Sequence, residues 1–130
     1  MSSPRKMTKV VATVAFGDSG TTGSYKITEC NGFVHNMIIN VPDFANNVTA
    51  TVTILDDDGD TLYTSSALTK NTTTSLGGIA AAELGDVPLS YNYTCRITLS
   101  GDAGAGGGTV TVKMYAKSEG GTSAIYQKAG

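Results

Sequence analysis

Four carboxylates fall within five residues at D-D-D-G-D, positions 56–60, the densest chemistry in the chain. Asp56, Asp58 and Asp60 alternate around Gly59, and calcium takes about six to eight oxygen ligands of this kind. An EF-hand loop, however, needs glycine at its sixth position and a bidentate glutamate at its twelfth. Counted from Asp56, those places hold Thr61 and Ala67. The run fits a hairpin turn better, because Asp and Gly accept left-handed backbone and Asp side chains cap nearby amides. A weak Ca²⁺ site is the alternative reading.

His35 is the sole histidine, and no Asp or Glu stands within five residues of it. Strand-type apolar residues surround it, and no G-x-S-x-G is present to start a hydrolase triad. A structural histidine is the expectation. The glycines from Gly104 to Gly108 (G-A-G-G-G) precede a strand pattern, whereas a phosphate cradle needs a helix N-terminus after its glycines. They read as a long, flexible hairpin tip of the kind that often carries partner contacts. No catalytic, cofactor or metal residue is assigned, and the chain is expected to act without enzymatic chemistry.

Six tyrosines and no tryptophan bear on sugar binding, which relies on exposed rings. Tyr115 has the outward parity of its strand, beside Lys113 and Lys117; a single exposed tyrosine suits a protein interface equally well. Three N-x-T sequences, at Asn47, Asn71 and Asn92, are what Thr- and Asn-rich strand ends produce by chance. Cys30 and Cys95 are expected as free thiols in a reducing cytoplasm, Cys95 facing the core; a disulfide stays open for a particle that matures outside the cell.

The elements that must position these residues are strands. Runs at 47–55, 91–100 and 108–117 place apolar residues two apart with Thr or another polar residue between, the mark of one buried and one wet face. A first strand is expected over 7–16, with Val10, Ala12, Val14 and Phe16 inward. Strands over 25–30 and 33–41 are expected to form a hairpin about Asn31-Gly32, the second with Phe33, His35, Met37, Ile39 and Val41 on one face and Val34 and Ile38 on the other. The clearest hairpin joins 48–55 to 61–67 through the Asp-rich turn. Residues 70–75 read as a short edge strand or loop, and 91–100 with 109–117 as a last hairpin. The Ala-rich cluster 79–84 allows a helical turn or two at most.

About eight short strands imply an all-β fold, a single antiparallel β-sandwich of immunoglobulin-like or jelly-roll type. The domain is expected over 7–117, with an N-terminal arm at 1–6 and a C-terminal tail at 118–130. The 130-residue length fits one domain, and a formal charge of −2 with pI near 5.1 argues against a nucleic-acid partner. No apolar run approaches the roughly 20 residues a membrane helix needs, and no export signal follows the basic N-terminus, so cytoplasmic synthesis is expected.

The segments V-P-D-F-A-N-N-V-T-A-T-V-T-I-L-D-D-D-G-D-T-L-Y-T-S, Y-T-C-R-I-T-L-S-G and G-G-G-T-V-T-V-K-M-Y resemble small β-sandwich virion proteins of tailed bacteriophages. The group includes capsid decoration (cement) proteins and related head accessories, and the resemblance covers about residues 33–117. It implies a virion location on the capsid surface, with the major capsid protein or other virion proteins as partners, and a homo-oligomer, a trimer being one form. Arg5, Lys6 and Lys9 of the arm, Tyr115, and Ile125 and Tyr126 of the tail are the expected interface residues. A neck, tail or fibre component is the alternative within that class, and a carbohydrate-binding or host-adhesion module outside it.

Overall fold

The computed structural model describes residues 7–29, 31–77 and 87–117. Arg5, Lys6, Cys30, Ile125 and Tyr126, the 79–84 cluster, and the arm and tail segments lie outside the described residues. The strands are β1 (Met7–Phe16), β2 (Thr22–Lys26), β3 (Gly32–Val41), β4 (Thr49–Leu55), β5 (Thr61–Thr64), β6 (Leu68–Thr69), β7 (Thr72–Gly77), β8 (Val87–Leu89), β9 (Thr94–Leu99) and β10 (Gly108–Lys117). No helix of the described residues is long and apolar enough to cross a membrane.

Two antiparallel sheets form a β-sandwich. One runs β1-β10-β3-β7, with β8 also on β3; the other runs β2-β9-β4-β5, with β6 also on β4. β5 and β6 follow one another along β4, and β7 and β8 along β3, so each pair is a single edge strand in two pieces. Counted that way there are eight strands, ordered 1-8-3-6 and 2-7-4-5. That is the jelly-roll order, which decides between the two sandwich types the sequence left open.

This topology corrects two of the three expected hairpins. β2 and β3 lie in different sheets, as do β9 and β10, so their connections arch across the sandwich. Among the described residues only β4 and β5 pair as neighbours in sequence, Thr53 opposite Thr64 and Ile54 opposite Tyr63. Strand periodicity is the same whether the next strand pairs beside its predecessor or crosses to the other sheet. The Asn31-Gly32 signal therefore marked a reversal of direction without marking a ladder.

The core follows the alternation. Val10, Ala12, Val14 and Phe16 of β1 meet Ala50, Val52 and Ile54 of β4, Cys95, Ile97 and Leu99 of β9, and Val110, Val112 and Met114 of β10, all buried. β3 departs from the expected parity. Tyr115 pairs with Asn36 but Ala116 pairs with Val34, so His35 is the extra residue of a β-bulge. Val34 thereby joins Met37, Ile39 and Val41 inside, and Phe33 turns outward at 39% exposure. One inserted residue flips every side chain on one side of it, which no periodic reading can anticipate. β9 starts at Thr94, so Tyr91 sits exposed in the preceding turn and does not share the inward face of Cys95.

At one end of the sandwich the 42–48 and 100–107 loops pack together with the 17–21 loop. Phe44 stands edge-on to Phe16, centroids 6.1 Å apart at 86°. Asn46 receives a Cβ-free approach from Gly104 and donates through its own backbone to Ala103 O at 3.1 Å and through Nδ2 to Asp102 O at 3.0 Å. Asp18 accepts from the Gly104 amide on its carbonyl and from the Gly106 amide on Oδ1. The glycine run expected as a flexible tip is instead tied to two other loops.

Candidate functional face

The two outer faces of the sandwich differ sharply in chemistry. On the β2-β9-β4-β5 sheet, Thr22, Thr98 and Thr51 form one cross-strand row, and Ser24, Arg96, Thr53 and Thr64 the next. Thr and Ser predominate in these rows, with Arg96 among them and exposed Leu62 at the β5 edge. On the other sheet, Met7, Lys117 and Phe33 lie across from one another, then Lys9, Tyr115 and Asn36, then Val11, Lys113 and Ile38. Apolar groups here occupy positions that the pleat turns toward solvent: Met7 is 56% exposed and Val11 37%.

Two of the expected interface residues come together on this face. Lys9 and Tyr115 are direct cross-strand partners, Lys9 exposed and Tyr115 half-buried. Directly opposed residues have Cβ atoms about 4.5–5.5 Å apart, near enough for a lysine stem to lie along a tyrosine ring. Beside Tyr115 is an open hollow of ≈ 340 Å³ lined by Met7, Asn36, Ile38 and Tyr115. A second, of ≈ 320 Å³, continues it past Ile38 toward Asn40, Thr73, Thr111 and Lys113. The bulge at His35 follows directly on the Asn36–Tyr115 pair and turns Phe33 outward beside Lys117.

Lys9, Lys113 and Lys117 supply positive charge to this face, and among the described residues no carboxylate stands in these cross-strand rows. The chain is nevertheless net acidic. Its acidic cluster projects from the turn between β4 and β5, on the other sheet. Sequence reasoning named Lys9 and Tyr115 but missed Met7, Val11, Phe33 and Ile38. Met7 and Val11 were legible, since both have the parity opposite to inward Val10, Ala12, Val14 and Phe16. Phe33 was not, because its orientation depends on the bulge.

The carboxylates of Asp56, Asp58 and Asp60 do converge, their ligand atoms lying within 4.8 Å of one another. Asp56 Oδ1 is engaged as a cap: it accepts from the Asp58 amide at 2.9 Å and the Asp60 amide at 2.8 Å, and Gly59 takes φ +87°. This is the turn chemistry expected of the sequence. Cys95 is a fully buried free thiol, and burial pushes its pKa up to about 12. A thiol so held is a core hydrophobe and not a nucleophile.

No family model and no curated protein matches the chain. Among solved structures, it is similar to a chain in the structure of infectious bursal disease virus, Gx strain, at 14% identity and a TM-score of 0.42, covering 93% of this chain and 34% of that one. A chain in the structure of the Gt strain gives 15% identity, a TM-score of 0.33, and 93% and 35% coverage. The present chain thus spans about a third of the length of each. At these TM-scores the likeness carries no argument, and the jelly-roll assignment rests on the strand order.

Proposed function

We propose that this protein is a non-enzymatic virion structural protein, a decoration protein that binds the outer lattice of a phage head through the face containing Lys9 and Tyr115. The observation that carries the reading is the contrast between the two outer faces. A hollowed surface that exposes apolar side chains beside a half-buried tyrosine, with Lys113 and Lys117 of β10 standing between the apolar groups of β1 and β3, has the make-up of a protein interface. On the opposite, Thr-rich sheet the exposed large apolar side chain of the strands is Leu62, at the β5 edge, against Met7, Val11 and Phe33 here. Jelly rolls serve capsid and lectin proteins alike, so the fold alone supports neither over the other. A broad, flat face suits another protein better than a small sugar, which is held in a deeper and more polar pocket.

The partner surface that fits has carboxylates set among apolar groups, and a major capsid protein is the partner proposed. Each copy would contribute a modest interface, and symmetric repetition over a shell would make the whole assembly stable. Cryo-electron microscopy of particles from cells producing the chain tests the assignment, with density expected at repeated head positions. Density confined to a neck, tail or fibre would move the protein there, and absence from all particles would overturn the reading. Tyr115→Ala, on the outward face, is expected to lower particle occupancy while leaving the melting temperature nearly unchanged.

A further inference from the structure

Sheet edges expose unpaired amide and carbonyl groups, and natural proteins shorten, interrupt, bulge or charge them to prevent pairing with another chain. Three of the four edges here are treated in this way. β2 has only five residues and ends in Lys26. The β5/β6 edge is broken at 65–67, where the Ser65 hydroxyl accepts from the Val52 amide in place of a ladder bond, and Leu62 bulges beside Ile54 and Leu55. The β7/β8 edge is in two short pieces among the described residues, β7 of six residues and β8 of three, the latter holding Pro88. β1 is different. It runs ten residues without proline, keeps an unbroken register with β10 from Met7–Lys117 to Phe16–Gly108, and pairs with β10 alone among the described residues. Lys9 is its single charge.

We infer that β1 is the seam of a homodimer, in which β1 of one copy pairs antiparallel with β1 of a second copy about a two-fold axis through Val11. The strand is self-complementary in that register. Val11 meets Val11 of the second copy, Lys9 meets Thr13, and Met7 meets Ala15, so apolar faces apolar and polar faces polar on the outer surface. Inward, Val10 meets Ala12 and Thr8 meets Val14, so the core-side parity of the strand is kept across the seam. Shifting by one residue would set inward side chains against outward ones, which the pleat forbids. Centring on Ala12 instead would place Lys9 against Ala15 and Val11 against Thr13. Both of those pairs set polar against apolar, so matched polarity on the outer surface favours the Val11 register.

The pairing closes after two copies, because each uses the same strand, and so it does not propagate into a fibre. It also joins two outer faces into one surface, with the hollows beside Tyr115 related by the axis. The inference does not rest on particle binding, since it concerns the purified protein alone.

Analytical ultracentrifugation of the full chain is expected to give a dimer. Val11→Lys sets two lysines against each other at the axis and is expected to weaken dimerisation by roughly 100-fold, with an unchanged circular dichroism spectrum. In a Cys30→Ser background, Val11→Cys is expected to form a disulfide-linked dimer on mild oxidation, as opposed strand residues have the required Cα spacing of about 4.5–5.5 Å. Thr13→Cys in the same background is expected to remain unlinked. A monomer in the wild type, an oligomer indifferent to Val11→Lys, or equal cross-linking at both positions would each overturn the inference.

Discussion

The Gly106 amide donates to Asp18 Oδ1 at 3.0 Å across a separation of 88 residues. With the Gly104 amide on the Asp18 carbonyl at 2.9 Å, this one aspartate ties the loop after β1 to the loop before β10. It closes an end of the sandwich where two sheet-crossing connections meet.

Asp18→Ala is therefore expected to cost about 1 kcal/mol, the net worth of a hydrogen bond to a largely exposed acceptor. In a domain of this size that lowers the melting temperature by a few degrees, roughly 3–6 °C. Differential scanning calorimetry measures it; a loss well below one degree would show that the carboxylate bond adds nothing to the backbone one.

Two neighbouring glycines separate backbone strain from collision. Gly106 and Gly107 both have positive φ, +86° and +58°. Nothing lies within 4 Å of a Cβ built on Gly106, whereas one on Gly107 would sit 1.9 Å from the Phe16 carbonyl oxygen. Gly106→Ala should cost about 1–2 kcal/mol from left-handed backbone alone. Gly107→Ala should cost clearly more, because β1 or the loop must move. Urea midpoints for the two variants compare them directly, and equal midpoints would contradict the packing described.

Phe44 is 1% exposed and wedged between Phe16, Pro42 and Gly108. Phe44→Ala should lose about 3–5 kcal/mol, the usual cost of emptying a buried aromatic site. Phe44→Leu, which refills most of the space, should recover more than half of that loss. Chemical denaturation of both variants provides the test.

Alkaline pH should destabilise the fold for two separate reasons. Burial raises the Cys95 thiol from 9.0 to about 12, and Tyr25 is raised from 10.0 to about 12, first by its hydrogen bond to Glu29 and then by desolvation and the glutamate's charge. In both cases the folded state holds its proton over a range where the unfolded state has lost it. The stabilisation is complete below about pH 9 and is lost as pH rises toward 12. Melting temperatures measured from pH 8 to 11 should fall, less steeply in Cys95→Ala and in Tyr25→Phe. In a Cys30→Ser background, Cys95 should also resist thiol reagents at pH 8 until the protein unfolds. A parallel fall in all three proteins would reject the assignment.

Asp56 already caps two amides, and added Ca²⁺ would have to compete for the same oxygen. Millimolar Ca²⁺ is expected to leave the melting temperature unchanged, while Asp56→Ala lowers it by an amount typical of a lost cap, about 1 kcal/mol. A rise of several degrees with Ca²⁺ that disappears in Asp58→Ala would revive the cation reading.

Much of this molecule is written locally. The alternation of Val10, Ala12, Val14 and Phe16 against Lys9, Val11 and Thr13 fixes a strand and its buried face without reference to anything else, because side chains on a pleat must alternate. Asp-Gly at 58–59 likewise sets a tight turn through its own backbone preferences. The sheet to which a strand belongs depends on partners that lie far away in sequence, and periodicity carries no record of them. Hence β2 and β3 were expected to pair and instead lie in different sheets, and Gly104 to Gly108 became a pinned crossing loop once Asp18 and Asn46 stood beside it. The bulge at His35 is the sharpest case. Only the register between β3 and β10 creates it, and it turns Phe33 outward beside Lys117. The sequence by itself determined the strands and most of the core; the pairing of distant strands decided the jelly roll, the apolar outer face and the open edge of β1.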